Sequence, residues 1–169
     1  IIQCISCGSW QHRICACLDE NSNVPDYNCP YCLCTNHEME NGRATLIVCP
    51  ASILSQWNSE IIRHTESGSV KLLLYEGMRV AREKLECLIR TGSETSRIRE
   101  AARQFWPCQI GNYDIVLTSY EILRKDLHHV SSAQRKMGEK RFFLRKKKRY
   151  NNPPSPLTHL RWWRICLDE

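Results

Sequence analysis

Residues 45–61 read TLIVCPASILSQWNSEI, and the class of fold turns on how this stretch is interpreted. Its first five residues, Thr45-Leu46-Ile47-Val48-Cys49, form an apolar run without polar alternation. A strand wet on one face alternates, whereas a strand of a parallel sheet, covered on both faces, reads as a continuous apolar run. Pro50 lacks the N–H that a ladder needs and closes the run. After it, Ile53, Leu54, Trp57 and Ile61 recur at helical spacing, with Ser55, Asn58, Ser59 and Arg63 on the opposite side. Strand, turn and amphipathic helix in this order predict an α/β unit.

The same texture continues downstream. Val70–Tyr75 predicts a second strand stopped at Gly77, followed by a helix with Met78, Ala81, Leu85 and Leu88 inward and Arg79/Glu83 and Arg82/Glu86 as surface pairs. Ile98, Ala101, Ala102 and Phe105 predict another helix, ended by Pro107. Asp114–Thr118 predicts a third strand. Thr118-x-x-Glu121 reads as a capping box opening a helix with Ile122, Leu123 and Leu127 inward. Trp162–Leu167 predicts a last strand running into Asp168-Glu169. Alternating strands and helices imply a parallel sheet, whose chemistry sits beyond the carboxyl ends of its strands. Those ends carry Pro50-Ala51-Ser52, Thr118-Ser119-Tyr120 and Asp168-Glu169.

Composition excludes some classes. With 42% hydrophobic and 25% charged residues, the 169-residue chain has an ordinary globular make-up, and no apolar run approaches the ~18 residues a bilayer span needs. No basic-then-apolar signal segment opens it. The formal charge of +6 has one source: residues 135–149, RKMGEKRFFLRKKKR, hold nine basic residues against Glu139, and the remaining chain is near neutral. Such a tract reads as a solvated insertion, or as a phosphate-binding strip or nuclear localisation signal centred on Lys146, Lys147 and Lys148. Phe142, Phe143 and Tyr150 interleave with the charges, and Asn-Asn-Pro-Pro-Ser-Pro (151–156) closes the insertion.

Seven of the eleven cysteines lie at positions 4, 7, 15, 17, 29, 32 and 34. A disulfide framework would distribute its cysteines over the fold, so a terminal cluster with two Cys-x-x-Cys pairs points to metal and a reducing compartment. The candidate ligands are Cys4, Cys7, His12, Cys15, Cys29 and Cys32, six where one tetrahedral zinc takes four and two take eight. The spacing resembles the second part of a PHD finger. Mapped on that family, Cys4, Cys7, Cys29 and Cys32 complete one zinc site, and His12 and Cys15 form half of another whose remaining pair is expected upstream of Ile1. A RING finger or a single zinc knuckle fits the spacing worse, and Cys17, Cys34 or His37 could serve the half-site locally. In the family the aromatic at the Trp10 position can form one wall of a cation–π cage for a histone methyl-lysine; packing between the two metal sites is the other reading of Trp10.

The body carries a second resemblance. TLIVCPASILSQWNSEI (45–61), DIVLTSYEIL (114–123) and WWRICLDE (162–169) resemble successive motifs of the first RecA-like lobe of SWI/SNF-type helicase-related ATPases. The resemblance implies DNA-backbone contacts by Ser52, Thr118 and Ser119, and a DExx motif in which Asp168 binds Mg2+ and Glu169 activates water against ATP. A PHD finger just before the first motif, with a basic insertion before DExx, resembles the chromatin-associated ubiquitin ligases whose ATPase core is split by zinc modules. The parent would then be nuclear and bind DNA and histones, and would recruit a ubiquitin-conjugating enzyme through a RING outside this chain.

The organisation expected is therefore a partial PHD-type finger over 1–36, a linker over 37–44, part of a RecA-like lobe over 45–127, the basic insertion over 128–156, and the DExx strand over 157–169. The chain contains no Gly-x-x-x-x-Gly-Lys-Ser/Thr, so it is expected to be inactive towards ATP alone and to expose apolar sheet surface. A non-catalytic, zinc-dependent chromatin-binding module is the alternative reading.

Overall fold

Burial on both faces explains the central strand. The computed structural model describes residues 1–36, 39–127 and 155–169. In it β4 (Thr45–Cys49) points Leu46 and Val48 into one layer and Ile47 and Cys49 into the other, all four buried. The period-two geometry of a strand thus divides an uninterrupted apolar run between two cores. On one side Leu46 and Val48 meet Leu73, Tyr75, Ile110 and Val116, with Leu157 and Leu160. On the other, Ile47, Cys49 and Leu117 lie against Leu54, Trp57 and Ile61 of α2 (Leu54–His64).

Four strands form a wholly parallel sheet in the order β5-β6-β4-β8, with β5 at Leu72–Leu74, β6 at Ile115–Ser119 and β8 at Arg164–Leu167. The register sets Cys49 opposite Ser119 and Val48 opposite Leu167, so the carboxyl ends of β4, β6 and β8 finish together. The connections run through α2, α3 (Met78–Arg90), α4 (Thr95–Arg103), α5 (Pro107–Ile110) and α6 (Tyr120–Leu127). The expected α/β class and parallel sheet are found. Among the described residues β8 pairs with β4 alone, and around it Trp163 (74% exposed), Ile165 and Leu167 present the apolar surface expected. Among the described residues no helix is long and apolar enough to cross a membrane.

Several boundaries differ from expectation, each for a local reason. Pro107 does not end a helix but opens α5, since a first-turn position has no N–H to lose; α4 already stops at Arg103. Thr118 does not cap α6. It lies within β6 and donates to the Tyr75 carbonyl at 3.1 Å, while Ser119, one residue on, accepts from the Ile122 N–H at 3.3 Å. Leu127 is 58% exposed rather than inward, and Asp126 takes the buried place. The last strand starts at Arg164: Leu160–Arg161 (β7) first pair in parallel with Glu40–Asn41 (β3), and the Trp162 indole donates to the Leu157 carbonyl at 3.0 Å. Of the stretch read as an insertion, Ser155 and Pro156 are buried in the lobe, Pro156 opening a short 3-10 turn. The tract at 135–149, with Lys146, Lys147 and Lys148, lies outside the described residues.

Asp126 is buried because it is satisfied. Its Oδ2 accepts from the Tyr75 hydroxyl at 2.7 Å and the Ser155 hydroxyl at 2.8 Å, tying α6 to the start of the 3-10 turn. Gly77 leads into α3 at φ +89°, where a Cβ would come within 3.1 Å of the Ile122 side chain, so this turn suits glycine on both grounds. Burial lifts the Asp126 carboxyl above its usual 3.8, with the bonds from Tyr75, Ser155 and the Met78 backbone opposing the rise. A raised folded-state pKa gives stability that is complete below the unfolded value and is lost as pH rises through the folded one. Asp126→Asn is therefore expected to flatten unfolding free energy against pH above about 4 relative to the parent chain. Urea titrations across that range check this, and equal slopes would refute it.

Candidate metal centre and the strand-end cluster

Two short turns build the cysteine site. β1 (Ile2–Gln3) and β2 (Trp10–Gln11) pair antiparallel, and the hairpin between them carries Cys4 and Cys7. Gly8 closes that turn at φ +72°, its N–H donating to the Cys4 carbonyl at 2.9 Å. Cys29 immediately precedes α1 (Pro30–Asn36), and Cys32 sits in the first turn of this helix. The Cys29 backbone N–H reaches the Cys4 sulfur at 3.2 Å, locking the two turns together.

The four Sγ atoms lie within 4.8 Å of one another, and Cys7 and Cys29 are 3.8 Å apart. Four thiolates at the usual ~2.3 Å from a tetrahedral zinc are separated by about 3.8 Å, so a donor set this compact suits such an ion. Cys4, Cys29 and Cys32 are buried and Cys7 is exposed. The Ser9 hydroxyl, 3.0 Å from Cys7, leads the effects that bring its thiol down to about 6. Burial pushes Cys29 and Cys32 up. At Cys4 burial also acts upward, but backbone bonds from Cys29, Cys7 and Ser6 bring the net shift down. Buried thiols held this closely are a poor arrangement for bare thiolates and a good one around a cation. All eleven cysteines are free of disulfides.

His12 Nδ1 and Cys15 Sγ stand 4.0 Å apart, and among the described residues no third ligating side chain joins them. The structure thus gathers four of the six sequence-predicted ligands and leaves two as a pair. Cys17 turns instead towards the Arg99 carbonyl at 3.9 Å, its thiol raised to about 11 by burial; Cys34 is raised to about 12 for the same reason, and His37 lies outside the described residues. Trp10 is 61% exposed, on a groove of about 450 Å³ between the finger and α3, whose other walls include Tyr31, Phe105 and Glu86.

The finger is seated on the lobe. Trp106 is buried with Tyr27, Cys29 and Cys32, its ring centroid 5.9 Å from that of Tyr27 and its indole donating to the Cys15 carbonyl at 3.4 Å. Arg99 pairs with Asp19 at 3.1 Å and donates to the Leu18 carbonyl. Sequence reasoning missed Trp106, Arg99 and Tyr31; Phe105 was read there only as the inward face of a helix.

At the strand ends, Ser52 is exposed in the turn after β4. Thr118 and Ser119 are buried, with their hydroxyls bonded as described above. Asp168 is half-buried: its N–H donates to the Val48 carbonyl at 2.9 Å, and its Oδ2 accepts from the Trp57 indole at 2.6 Å. Among the described residues Oδ1 takes no hydrogen bond, and Glu169 beside it is exposed. These are hard oxygen donors of the kind Mg2+ takes, one held in place and one free. Trp57 was legible only as a core residue of α2.

A family model for the SNF2-related domain matches residues 9–169. Human "E3 ubiquitin-protein ligase SHPRH" is 36% identical over 169 residues, covering 99% of this chain and 9% of that protein. The yeast "Uncharacterized ATP-dependent helicase IRC20" (Saccharomyces cerevisiae) is 32% identical over 134 residues, 79% of this chain and 7% of the relative. Human "Helicase-like transcription factor" is 30% identical over 131 residues, 77% of this chain and 8% of the relative. No solved structure matches. This chain spans less than a tenth of the length of these relatives. The match begins between the first and second ligand pairs and runs through all four strands of the parallel sheet, so the chain belongs to the SNF2-related domain family, with most of its cysteine module inside the matched span.

Proposed function

We propose that this chain is the finger-bearing part of the first ATP-binding lobe of a chromatin-associated, DNA-dependent ATPase that is also a ubiquitin ligase. The observation that carries the reading is the register that ends β4, β6 and β8 together, so that Ser52, Ser119 and Asp168-Glu169 follow at the same end of the parallel sheet, the edge at which α/β folds do their chemistry. Asp168 would hold Mg2+ on the nucleotide and Glu169 would polarise the attacking water, while Ser52 makes the DNA-backbone contact for which its exposure suits it. Thr118 and Ser119, expected at the same contact, would support it from within. Lys146, Lys147 and Lys148 add positive charge for DNA phosphate.

Zn2+ at Cys4, Cys7, Cys29 and Cys32 would supply folding energy to the finger. Trp10, on its groove, would face a histone tail. The ligase activity rests on the name of the human relative and belongs to parts of the protein outside this chain, including the surface for a ubiquitin-conjugating enzyme. Such a protein works in the nucleus.

The test is ATP hydrolysis with and without duplex DNA. The intact protein carrying this chain is expected to turn over ATP faster with DNA, and Glu169→Gln to cut that turnover by about 100-fold or more. The 169-residue chain alone is expected to show none. Unchanged turnover in E169Q, or Glu169-dependent hydrolysis by the chain alone, contradicts the reading.

A further inference from the structure

We propose that Trp57 is a positioning residue for Asp168, orienting its carboxylate for a divalent cation through the indole N–H. This rests on the reading of Asp168 as the cation ligand and adds a residue that neither the sequence motifs nor the family match assigns.

Trp57 performs two separable tasks. Its ring packs with Ile47, Cys49 and Leu117 under the sheet, and a phenylalanine could fill that place. Its N–H crosses from α2 to the end of β8 and meets Asp168 Oδ2 at 2.6 Å, joining residues 111 positions apart. An N–H given to a carboxylate is a charge-assisted bond, short and directional. It fixes the torsion of a side chain that would otherwise turn freely at the end of an edge strand. The Asp168 backbone is pinned independently, by its N–H on the Val48 carbonyl. With main chain and Oδ2 both held, Oδ1 has one direction left, and it is the oxygen without a hydrogen bond among the described residues. The indole gives no proton to the reaction and touches no nucleotide; it acts through Asp168.

The geometry also explains why the donor is on α2. This helix follows directly from the turn after β4, and the Trp57 backbone N–H closes its first turn on the Ile53 carbonyl at 3.0 Å. The indole thus comes from the neighbouring strand's own connection, and the parallel β4–β8 register brings it level with Asp168.

Two measurements test the proposal. In the 169-residue chain, the ¹⁵N-indole resonance lost in Trp57→Phe identifies Trp57. That resonance is expected to move on Asp168→Asn and to broaden first among the five indoles on Mn2+ titration. An indole indifferent to both overturns the proposal. In the intact protein, W57F is expected to raise the Mg2+ concentration for half-maximal DNA-stimulated ATP turnover by about tenfold, the factor that loss of one charge-assisted bond carries, with the protein still folding cooperatively. Trp57→His, which keeps a ring N–H, is expected to recover part of that shift. If D168N abolishes turnover but W57F leaves the Mg2+ requirement unmoved, the positioning role fails and the catalytic reading stands. If D168N retains full turnover, the catalytic reading itself has failed.

Discussion

Trp106→Ala is expected to destabilise the chain by about 3–5 kcal/mol, the range for removing a large buried aromatic from a packed site. Trp106 is where finger and lobe share a core: its ring lies against Tyr27 among the buried cysteines, and its indole holds the Cys15 carbonyl. Alanine leaves a cavity and an unpaired carbonyl together. The other polar contacts named across the boundary, Arg99 to Asp19 and to the Leu18 carbonyl and the Cys17 thiol to the Arg99 carbonyl, are partly exposed, and exposed ion pairs contribute ~1 kcal/mol or less. Unfolding by urea should therefore change from one transition to two, the finger melting ahead of the sheet. Trp106→Phe keeps a ring against Tyr27 and loses only the weak N–H bond, so it should cost less, about 1 kcal/mol for the bond plus the lost ring volume. A single transition in W106A, with a loss under about 1 kcal/mol, would show that the two modules are not coupled through this residue.

Cys29→Ser is expected to have the larger effect on metal. Structural zinc contributes about 10–16 kcal/mol of apparent binding free energy in small fingers, and that binding is folding energy. Serine supplies a poor ligand in place of a thiolate, so bound metal should fall towards zero and the finger should lose several kcal/mol of stability. The damage should reach the lobe, because Cys29 and Cys32 share a core with Trp106. His12→Ala should leave metal content unchanged, since His12 and Cys15 have no third donor among the described residues. Metal analysis and thermal melts of the two variants side by side separate these outcomes. Equal metal loss in both would mean that His12 belongs to the occupied site.

The sheet was legible for a physical reason: Leu46-Ile47-Val48 is apolar at consecutive positions because both neighbouring layers are dry, and few other environments ask for that. The cysteine site was legible because a Cys-x-x-Cys turn forces two thiols to one point, so spacing alone carries geometry. Boundaries were less so. Thr118 and Ser119 both make acceptable caps, and the choice between them depends on where β6 stops, which is set by its pairing with β4 and β5. Pro107 reads as a stop or as a start depending on which side the helix lies. The Tyr75–Asp126–Ser155 network, the seat of Trp106 on the finger and the bond from Trp57 to Asp168 were illegible. Each joins side chains far apart in sequence, and nothing local distinguishes a tryptophan that packs from one that also donates.

X-ray absorption at the zinc edge on the 169-residue chain loaded with Zn2+, with total zinc measured on the same sample, reads the metal shell of the cysteine module. The expected result is one zinc per chain with four sulfur neighbours at ~2.3 Å, the shell that Cys4, Cys7, Cys29 and Cys32 provide. A nitrogen neighbour in the shell, or two zinc ions per chain, would contradict it.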